Sequence, residues 1–86
     1  MQANTPTYIA TNTTTTITAG NTFLHTIVCP IATSGTVTVQ DRTGTPVVYF
    51  VLPIGSIGTL IFDCILPNGL AVITSAADKV VINWRQ

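Results

Sequence analysis

Residues 58–74 read GTLIFDCILPNGLAVIT, and this stretch decides the fold class. Two apolar runs, Gly58–Leu66 and Leu70–Thr74, flank three turn-forming residues at 67–69. β-Branched and aromatic side chains favour extended backbone, whereas proline, asparagine and glycine favour tight turns. The stretch therefore predicts two antiparallel strands joined by a sharp turn.

The same pattern of short β-branched runs bounded by turn residues recurs along the whole chain. Threonine alone accounts for 17 of the 86 residues, and its stiff side chain favours the pleated backbone. Val37 and Val39 alternate with polar neighbours, which is the period-two pattern of a half-buried strand. Besides the two strands above, we predict six more: Thr5–Ala10, Thr13–Thr18, Thr22–Cys29, Thr36–Asp41, Val47–Leu52 and Lys79–Arg85.

These strands indicate an all-β fold, a jelly-roll-like β-sandwich of seven to eight short antiparallel strands, with a small barrel as the alternative. A chain of this length has room for one hydrophobic core, so we expect residues 12–86 to form a single domain. Residues 1–11 are polar and rich in threonine, and Pro6 interrupts them. They are either a first strand or an N-terminal arm that adds little to folding and reaches a partner.

The last predicted strand carries the single tryptophan of the chain. Val80, Ile82 and Trp84 share one face of this strand at period two. An aromatic side chain of this size buries a large area. Trp84 is therefore predicted to anchor the core.

Charged side chains are scarce in this sequence. They make up 7% of the residues, against about 25% in an average soluble domain. The formal net charge is zero and the three basic residues form no cluster, so we expect no nucleic-acid binding. A small domain with so little charge exposes large uncharged areas, which mark interaction surfaces. The composition therefore predicts a subunit that packs against other protein.

Two predicted strands, Val47–Leu52 and Gly58–Leu66, are apolar on both faces. A two-layer sandwich buries one face of each sheet, so the second face is either covered by a loop in a monomer or meets another subunit, and we expect another subunit. Asp63 lies in the middle of the second strand, where its charge either discourages edge pairing or bonds to a neighbouring subunit. The predicted contact residues are Val48, Phe50, Leu52, Ile61, Asp63 and Ile65, together with Tyr8 and Ile9 from the N-terminal segment.

Residues that could support catalysis or bind a metal are few. His25 is the single histidine, and on a strand it lies about 13 Å from Cys29, four residues further on. Cys29, Cys64 and His25 supply three of the four ligands that a structural zinc site needs. We therefore predict no enzymatic activity, no metal and no cofactor. Both cysteines are expected to be reduced and structurally inert.

Membrane association is also not expected. The longest apolar run, Val47–Leu52, is far shorter than the roughly 20 residues of a membrane-spanning helix. Met1–Ala10 lacks the basic start and the apolar core of a signal peptide. We therefore expect the high hydropathy to come from buried strands and protein interfaces.

Two parts of the sequence resemble small virion proteins of tailed bacteriophages. Residues 68–75, followed by Lys79–Arg85, are similar to a recurring C-terminal ending of capsid decoration (cement) proteins. In that ending, a glycine-led strand and a final hairpin strand close the sandwich. Thr36–Asp41, followed by a glycine-containing turn, looks like the central hairpin of these proteins. The resemblance spans residues 12–86.

The resemblance implies a structural virion protein, a decoration protein that binds and stabilises the shell as a homo-oligomer, most often a trimer. Its expected partners are copies of itself and the major capsid protein. It implies a location on the capsid surface, with assembly in the host cytoplasm. The alternative is a tail-, neck- or fibre-associated β-sandwich, which acts as an adaptor or as a receptor- or glycan-binding module.

Overall fold

The computed structural model describes residues 4–42 and 47–86. These residues form eight strands and no helix. Each strand agrees with a predicted one to within one residue at either end. The glycine-containing turn that follows the predicted strand Thr36–Asp41 includes residues 43–46, which lie outside the described part. The strands are β1 (Thr5–Ile9), β2 (Thr14–Thr18), β3 (Thr22–Cys29), β4 (Val37–Gln40), β5 (Val48–Leu52), β6 (Gly58–Leu66), β7 (Leu70–Thr74) and β8 (Val80–Arg85).

The strands form two four-stranded antiparallel sheets. Hydrogen-bonded neighbours follow the order β1-β8-β3-β6 in one sheet, which we call sheet A, and β2-β7-β4-β5 in the other, sheet B. Two four-stranded sheets linked in this way form a jelly roll. The prediction of an all-β, jelly-roll-like sandwich is confirmed.

The N-terminal segment contains a strand of sheet A. β1 pairs with β8 along its whole length, and Ile9 at its end is buried in the core. The Trp84 Nε1–H donates a hydrogen bond to Thr7 Oγ1 at 2.9 Å. Residues 1–3 lie outside the described part of the chain. Residues 5–9 are thus a strand at the edge of sheet A, paired with β8.

The core lies between the two sheets and consists mainly of aliphatic side chains. Burying one such side chain contributes about 1.5–3 kcal/mol relative to leaving it in water. Trp84 is partly buried and packs against this core, on the same face of β8 as two fully buried residues. The fully buried aliphatic residues are Leu24, Ile27, Val37, Val39, Leu70, Val72, Val80 and Ile82.

One end of the sandwich is held together by the carboxylate of Asp78. Its oxygens accept hydrogen bonds from the backbone N–H of Ser34 at 2.8 Å and of Gly35 at 2.9 Å, and from the Ser34 hydroxyl. These hydrogen bonds favour the charged form and hold the pKa of Asp78 below its ordinary value. Asp78 thereby ties the loop after β3 to the loop before β8.

Both cysteines are free thiols. Cys29 is buried, and Cys64 is partly buried and packs against the core. Burial raises the pKa of both thiols, because an apolar environment disfavours the charged thiolate. Since the thiolate is the reactive form, both side chains behave as small apolar residues.

Candidate self-association surface

The side of the sandwich that carries β5 and β6 is closed by two aromatic side chains from different sheets. Phe50 on β5 and Phe62 on β6 have ring centroids 4.7 Å apart, within the range of a favourable aromatic pair. Both also pack against the core. Since β5 and β6 are the end strands of the two sheets, this contact places them on the same lateral side. β1 and β2, at the other ends of the sheets, form the opposite side.

Exposed apolar side chains are concentrated on the β5–β6 side. Nine large apolar side chains are exposed among the described residues, and seven of them lie between residues 47 and 65. The other two are Tyr8 and Ile31. Large exposed apolar patches mark interaction sites on soluble proteins. We call the following seven side chains the β5–β6 surface: Val47, Val48, Val51, Ile54, Ile57, Ile61 and Ile65.

In sheet A, the β5–β6 surface is formed by side chains of β6 that point away from the core. Leu60 and Phe62 pack against the core, so the residues that alternate with them face outwards. Ile61 is 70% exposed and Ile65 is 64% exposed. Asp63 lies between them and is also exposed. The structure therefore brings these three predicted contact residues together on one outer face.

In sheet B, a β-bulge changes which side chains of β5 face outwards. The neighbouring β4 residues Val39 and Gln40 pair with Phe50 and Val48, which leaves Tyr49 as an extra residue in β5. An extra residue interrupts the alternation of side chains between the two faces. As a result, Tyr49 and Phe50 both pack against the core.

The bulge corrects part of the predicted contact set. Val48 faces outwards, and Val51, which strict alternation places on the opposite face, is exposed as well. Phe50 packs against the core and Leu52 is only 5% exposed. Phe50 and Leu52 therefore lie beneath the surface and are not part of it. The prediction assumed strict alternation of side chains along β5, and a bulge interrupts that alternation.

The two candidate contact residues of β1 lie away from the β5–β6 surface. Tyr8 is exposed, but β1 and β6 are at opposite ends of sheet A. Ile9 is 4% exposed and belongs to the core. Neighbouring residues of a strand point to opposite faces, so these two residues cannot act as one contact.

Ile54 and Ile57 extend the surface through the loop between β5 and β6, and the sequence analysis missed both. This loop is held by hydrogen bonds from Gly55 N–H to the Thr33 carbonyl at 2.8 Å and from the Ser56 hydroxyl to the Pro53 carbonyl at 2.7 Å. Loops have no alternation from which exposure can be predicted. The sequence feature that could have identified Ile54 and Ile57 is the presence of large apolar residues within a turn segment.

A charged pair lies within the β6 part of the surface. His25 Nδ1 on β3 contacts Asp63 Oδ1 on β6. The β3–β6 pairing shifts register between Leu24 and Thr26, so that β6 carries an extra residue at this point. Asp63 has a φ of 46° there. The bulge thus places the single charge of β6 next to the single histidine of the chain.

Polar and aromatic side chains continue from this pair towards β8. The guanidinium carbon of Arg85 lies 4.2 Å from the centroid of the Phe23 ring, a cation–π geometry. Arg85 Nη1–H donates a hydrogen bond to Asn4 Oδ1 at 3.0 Å. The Phe23 ring also stacks beside that of His25. The outer face of sheet A is therefore ordered by contacts between its own side chains.

The described part of the chain contains no pocket. Within residues 4–42 and 47–86, no group of three or more histidine, cysteine, aspartate or glutamate side chains could hold a metal ion. The same residues include no helix with the length and apolarity needed to cross a bilayer. The candidate site is the apolar surface described above.

The sequence matches no protein-family model and no curated protein. Its fold is similar to that of the NLP core of Drosophila, whose crystal structure concerns pentamer formation and histone binding. The TM-score is 0.56 at 12% sequence identity, and the match covers 99% of this chain and 100% of that chain. At this identity the likeness shows a shared fold. It is a fold compatible with a homo-oligomer, since the NLP core forms a pentamer.

This comparison contradicts the interpretation as a virion protein, and that interpretation is wrong. The structural likeness leads to a protein of pentamer formation and histone binding, not to a capsid decoration protein or to a tail, neck or fibre protein. The stretches at residues 68–75 and 36–41 that carried the resemblance are strands and turns of the sandwich itself. One β-sandwich fold serves many unrelated functions. The major capsid protein as a partner has no support.

Proposed function

We propose that this chain is a structural assembly protein, a β-sandwich subunit that forms a homo-oligomer through its β5–β6 surface. The observation that carries the proposal is that, in the part of the chain that the structure describes, seven of the nine exposed large apolar side chains lie between residues 47 and 65. Removing apolar surface from water contributes about 25 cal/mol per Å². The function we propose is association rather than catalysis.

The opposite side of the sandwich supports this assignment by contrast. Among the described residues of β1 and β2, Tyr8 is the one large apolar side chain that is exposed. Thr14 and Thr16 face solvent on β2. Because large exposed apolar patches mark interaction sites, the contacts with neighbouring subunits are expected at β5 and β6 rather than at β1 and β2.

The size of the required contact suits the chain. A standard protein interface buries about 800 Å² on each partner, which is under a fifth of the 4538 Å² that this chain exposes. Association costs about 4–15 kcal/mol in lost freedom of movement. Burial of apolar surface at the contact has to offset this cost.

A second copy of the chain is the partner that the charges favour. Residues 47–66 contain one charged side chain, Asp63, and His25 contacts it. The chain as a whole has no net charge. Two copies therefore approach without the long-range repulsion that a net charge creates.

The charges do not favour histone binding, which the NLP core structure concerns. A surface that binds basic proteins needs complementary negative charge, and this chain has three aspartates and no glutamate. Asp41 and Asp78 are buried, and both accept hydrogen bonds from backbone N–H groups. Asp63 contacts His25. We therefore propose self-association without a histone-binding role.

Sedimentation equilibrium at micromolar concentration tests the proposal. We expect the wild-type protein to sediment at a multiple of the 9.1 kDa chain mass. The double variant Ile61→Asp/Ile65→Asp should dissociate, because association would bury two further charges in an apolar contact. Tyr8→Asp is the control for an added carboxylate, since it places one at a similarly exposed apolar position outside the surface. A wild-type protein that is monomeric throughout would refute the proposal.

A further inference from the structure

The β5–β6 surface has two halves that face in opposite directions. Ile61 and Ile65 lie on the outer face of sheet A, and Val48 and Val51 lie on the outer face of sheet B. The molecule measures 31 × 31 × 17 Å, so its two layers separate these halves. One flat partner surface cannot cover both. Each copy therefore needs two neighbours to bury its β5–β6 surface.

Two kinds of contact between identical chains are possible. In an isologous contact the same patch meets itself across a two-fold axis, whereas in a heterologous contact two different patches meet and each copy contacts two neighbours. An isologous contact through one half leaves the other half in water. A heterologous contact between the two halves buries both with a single type of interface.

Asp63 is the residue that separates these possibilities. It lies midway between Ile61 and Ile65 on β6, so a two-fold axis through this half would bring Asp63 close to Asp63 of the second copy. Like charges placed together in an interface cost several kcal/mol. Self-pairing of the β6 half is therefore disfavoured.

The β5 half offers Asp63 a better environment. Gln40 pairs with Val48 and Thr38 pairs with Val51. Since Val37 and Val39 are buried, Thr38 and Gln40 alternate with them and share the outer face of sheet B. Their hydroxyl and amide groups can donate hydrogen bonds to a carboxylate. In a heterologous contact, the His25–Asp63 pair meets neutral donors instead of a second carboxylate.

We infer that the chain assembles head to tail, with the β6 half of one copy packed on the β5 half of the next. This inference rests on the proposed self-association and specifies its geometry. Both halves lie next to the same lateral side of the sandwich, so the contacts between copies form there. The polar β1–β2 sides of neighbouring copies can then point away from each other. A heterologous contact forms a ring if its rotation closes, and the β5–β6 sides then lie towards the ring axis. The partner at each contact is a second copy of this chain.

Two single variants and their mixture test the head-to-tail contact. Ile61→Asp blocks the β6 half and Val51→Asp blocks the β5 half. We expect each variant alone to sediment as a single chain, because a head-to-tail contact needs both halves. An equimolar mixture should form a 1:1 dimer of twice the chain mass, since one intact half remains on each variant. Ile65→Asp and Val48→Asp form a second pair in case a variant of the first pair does not fold, which its melting curve reports.

The outcomes separate this inference from the proposal on which it rests. If one of the two variants stays as associated as the wild type, the contact is isologous through its remaining half. The head-to-tail inference then fails while self-association stands. If both variants are folded monomers and their mixture does not dimerise, the head-to-tail contact is also wrong. A monomeric wild-type protein overturns both the inference and the proposed function.

Discussion

His25 and Asp63 meet across the β3–β6 pair at the point where β6 carries one residue more than β3. The extra residue is accommodated by a left-handed backbone conformation, with a φ of 46° at Asp63. Aspartate and asparagine adopt this conformation more readily than other non-glycine residues. The position of the one charge on the apolar surface is thus set by the bulge as well as by its partner.

Asp63→Val should destabilise the fold more than Asp63→Gly. Both changes remove the contact with His25, but a β-branched side chain is strained at this φ, whereas glycine is not. We expect valine to cost about 1–2 kcal/mol more than glycine, as measured by urea unfolding of the two variants. Equal stabilities would show that the backbone conformation of Asp63 contributes nothing.

Replacing Ile9 and replacing its neighbour Tyr8 should have very different effects. Ile9→Ala removes a buried side chain from the end of β1, and such changes cost about 2–5 kcal/mol. Tyr8→Ala alters an exposed side chain on the other face, where effects usually stay within about 0.5 kcal/mol. Thermal melting of the two variants makes the comparison. If Ile9→Ala melts like the wild type, β1 is not an integral part of the sandwich.

Trp84 should contribute through packing and through its hydrogen bond to Thr7. Because the side chain is partly buried, Trp84→Ala is expected to cost about 3 kcal/mol, the low end for a large aromatic residue. Trp84→Phe keeps much of the packing and loses the hydrogen bond, for a cost of about 1 kcal/mol beyond the lost packing area. The measurement is the free energy of unfolding in urea. An unchanged midpoint for Trp84→Ala would contradict the packing of the last strand.

Stability should fall in acid partly through Asp78. Its pKa in the folded state is lowered by the hydrogen bonds from Ser34 and Gly35. A carboxylate whose pKa is lower in the folded state stabilises the fold, and this stabilisation is fully present at pH values above its pKa in the unfolded chain, which is 3.8 for this group. That stability is lost as the pH falls through the lower folded value. Asp78→Asn should therefore melt at a lower temperature than the wild type at neutral pH, and this difference should shrink below pH 4.

The pH series of melting temperatures has an internal control. Ser34→Ala removes one hydrogen bond to Asp78 and leaves the two from backbone N–H groups in place. It should retain most of the pH dependence that Asp78→Asn loses. Parallel pH profiles for wild type and Asp78→Asn would mean that the carboxylate is not held in its charged form by this loop.

The two thiols should differ in their rate of alkylation in the native protein. Cys64 is partly buried and Cys29 is fully buried, and burial raises the pKa of each thiol. Mass spectrometry after iodoacetamide treatment should show Cys64 modified first, with both thiols far slower than in the denatured chain. A quantitative Cys29–Cys64 disulfide in the native protein would exclude two free thiols.

The strands and their approximate ends could be predicted from the sequence because their signals are local. A run such as Leu70–Thr74 is β-branched and apolar, and it follows directly on a proline-asparagine-glycine turn. The assignment of Trp84 to the core face rested on strict alternation, which β8 keeps from Val80 to Trp84. Such signals need no knowledge of the neighbouring strand.

The contact residues could be predicted only in part, because exposure depends on the partner strand. Ile61 and Ile65 follow the alternation of β6 and lie outside, whereas the bulge at Tyr49 moves Val51 out and keeps Phe50 in. A bulge is a mismatch in residue number between two paired strands, so it cannot be predicted from the sequence of either strand alone. The biological role was misread for a related reason, since strand patterns specify a sandwich and a sandwich serves many functions.

By itself, the sequence determined that this chain is a small β-sandwich with too little charge to cover its apolar surface. Composition and short-range periodicity decide both points. Only the tertiary structure decided where the apolar surface lies. It brought β5 and β6 to one side through Phe50 and Phe62, and it paired Asp63 with His25, 38 residues earlier. These relationships depend on strand order and register, and packing of the whole chain sets both.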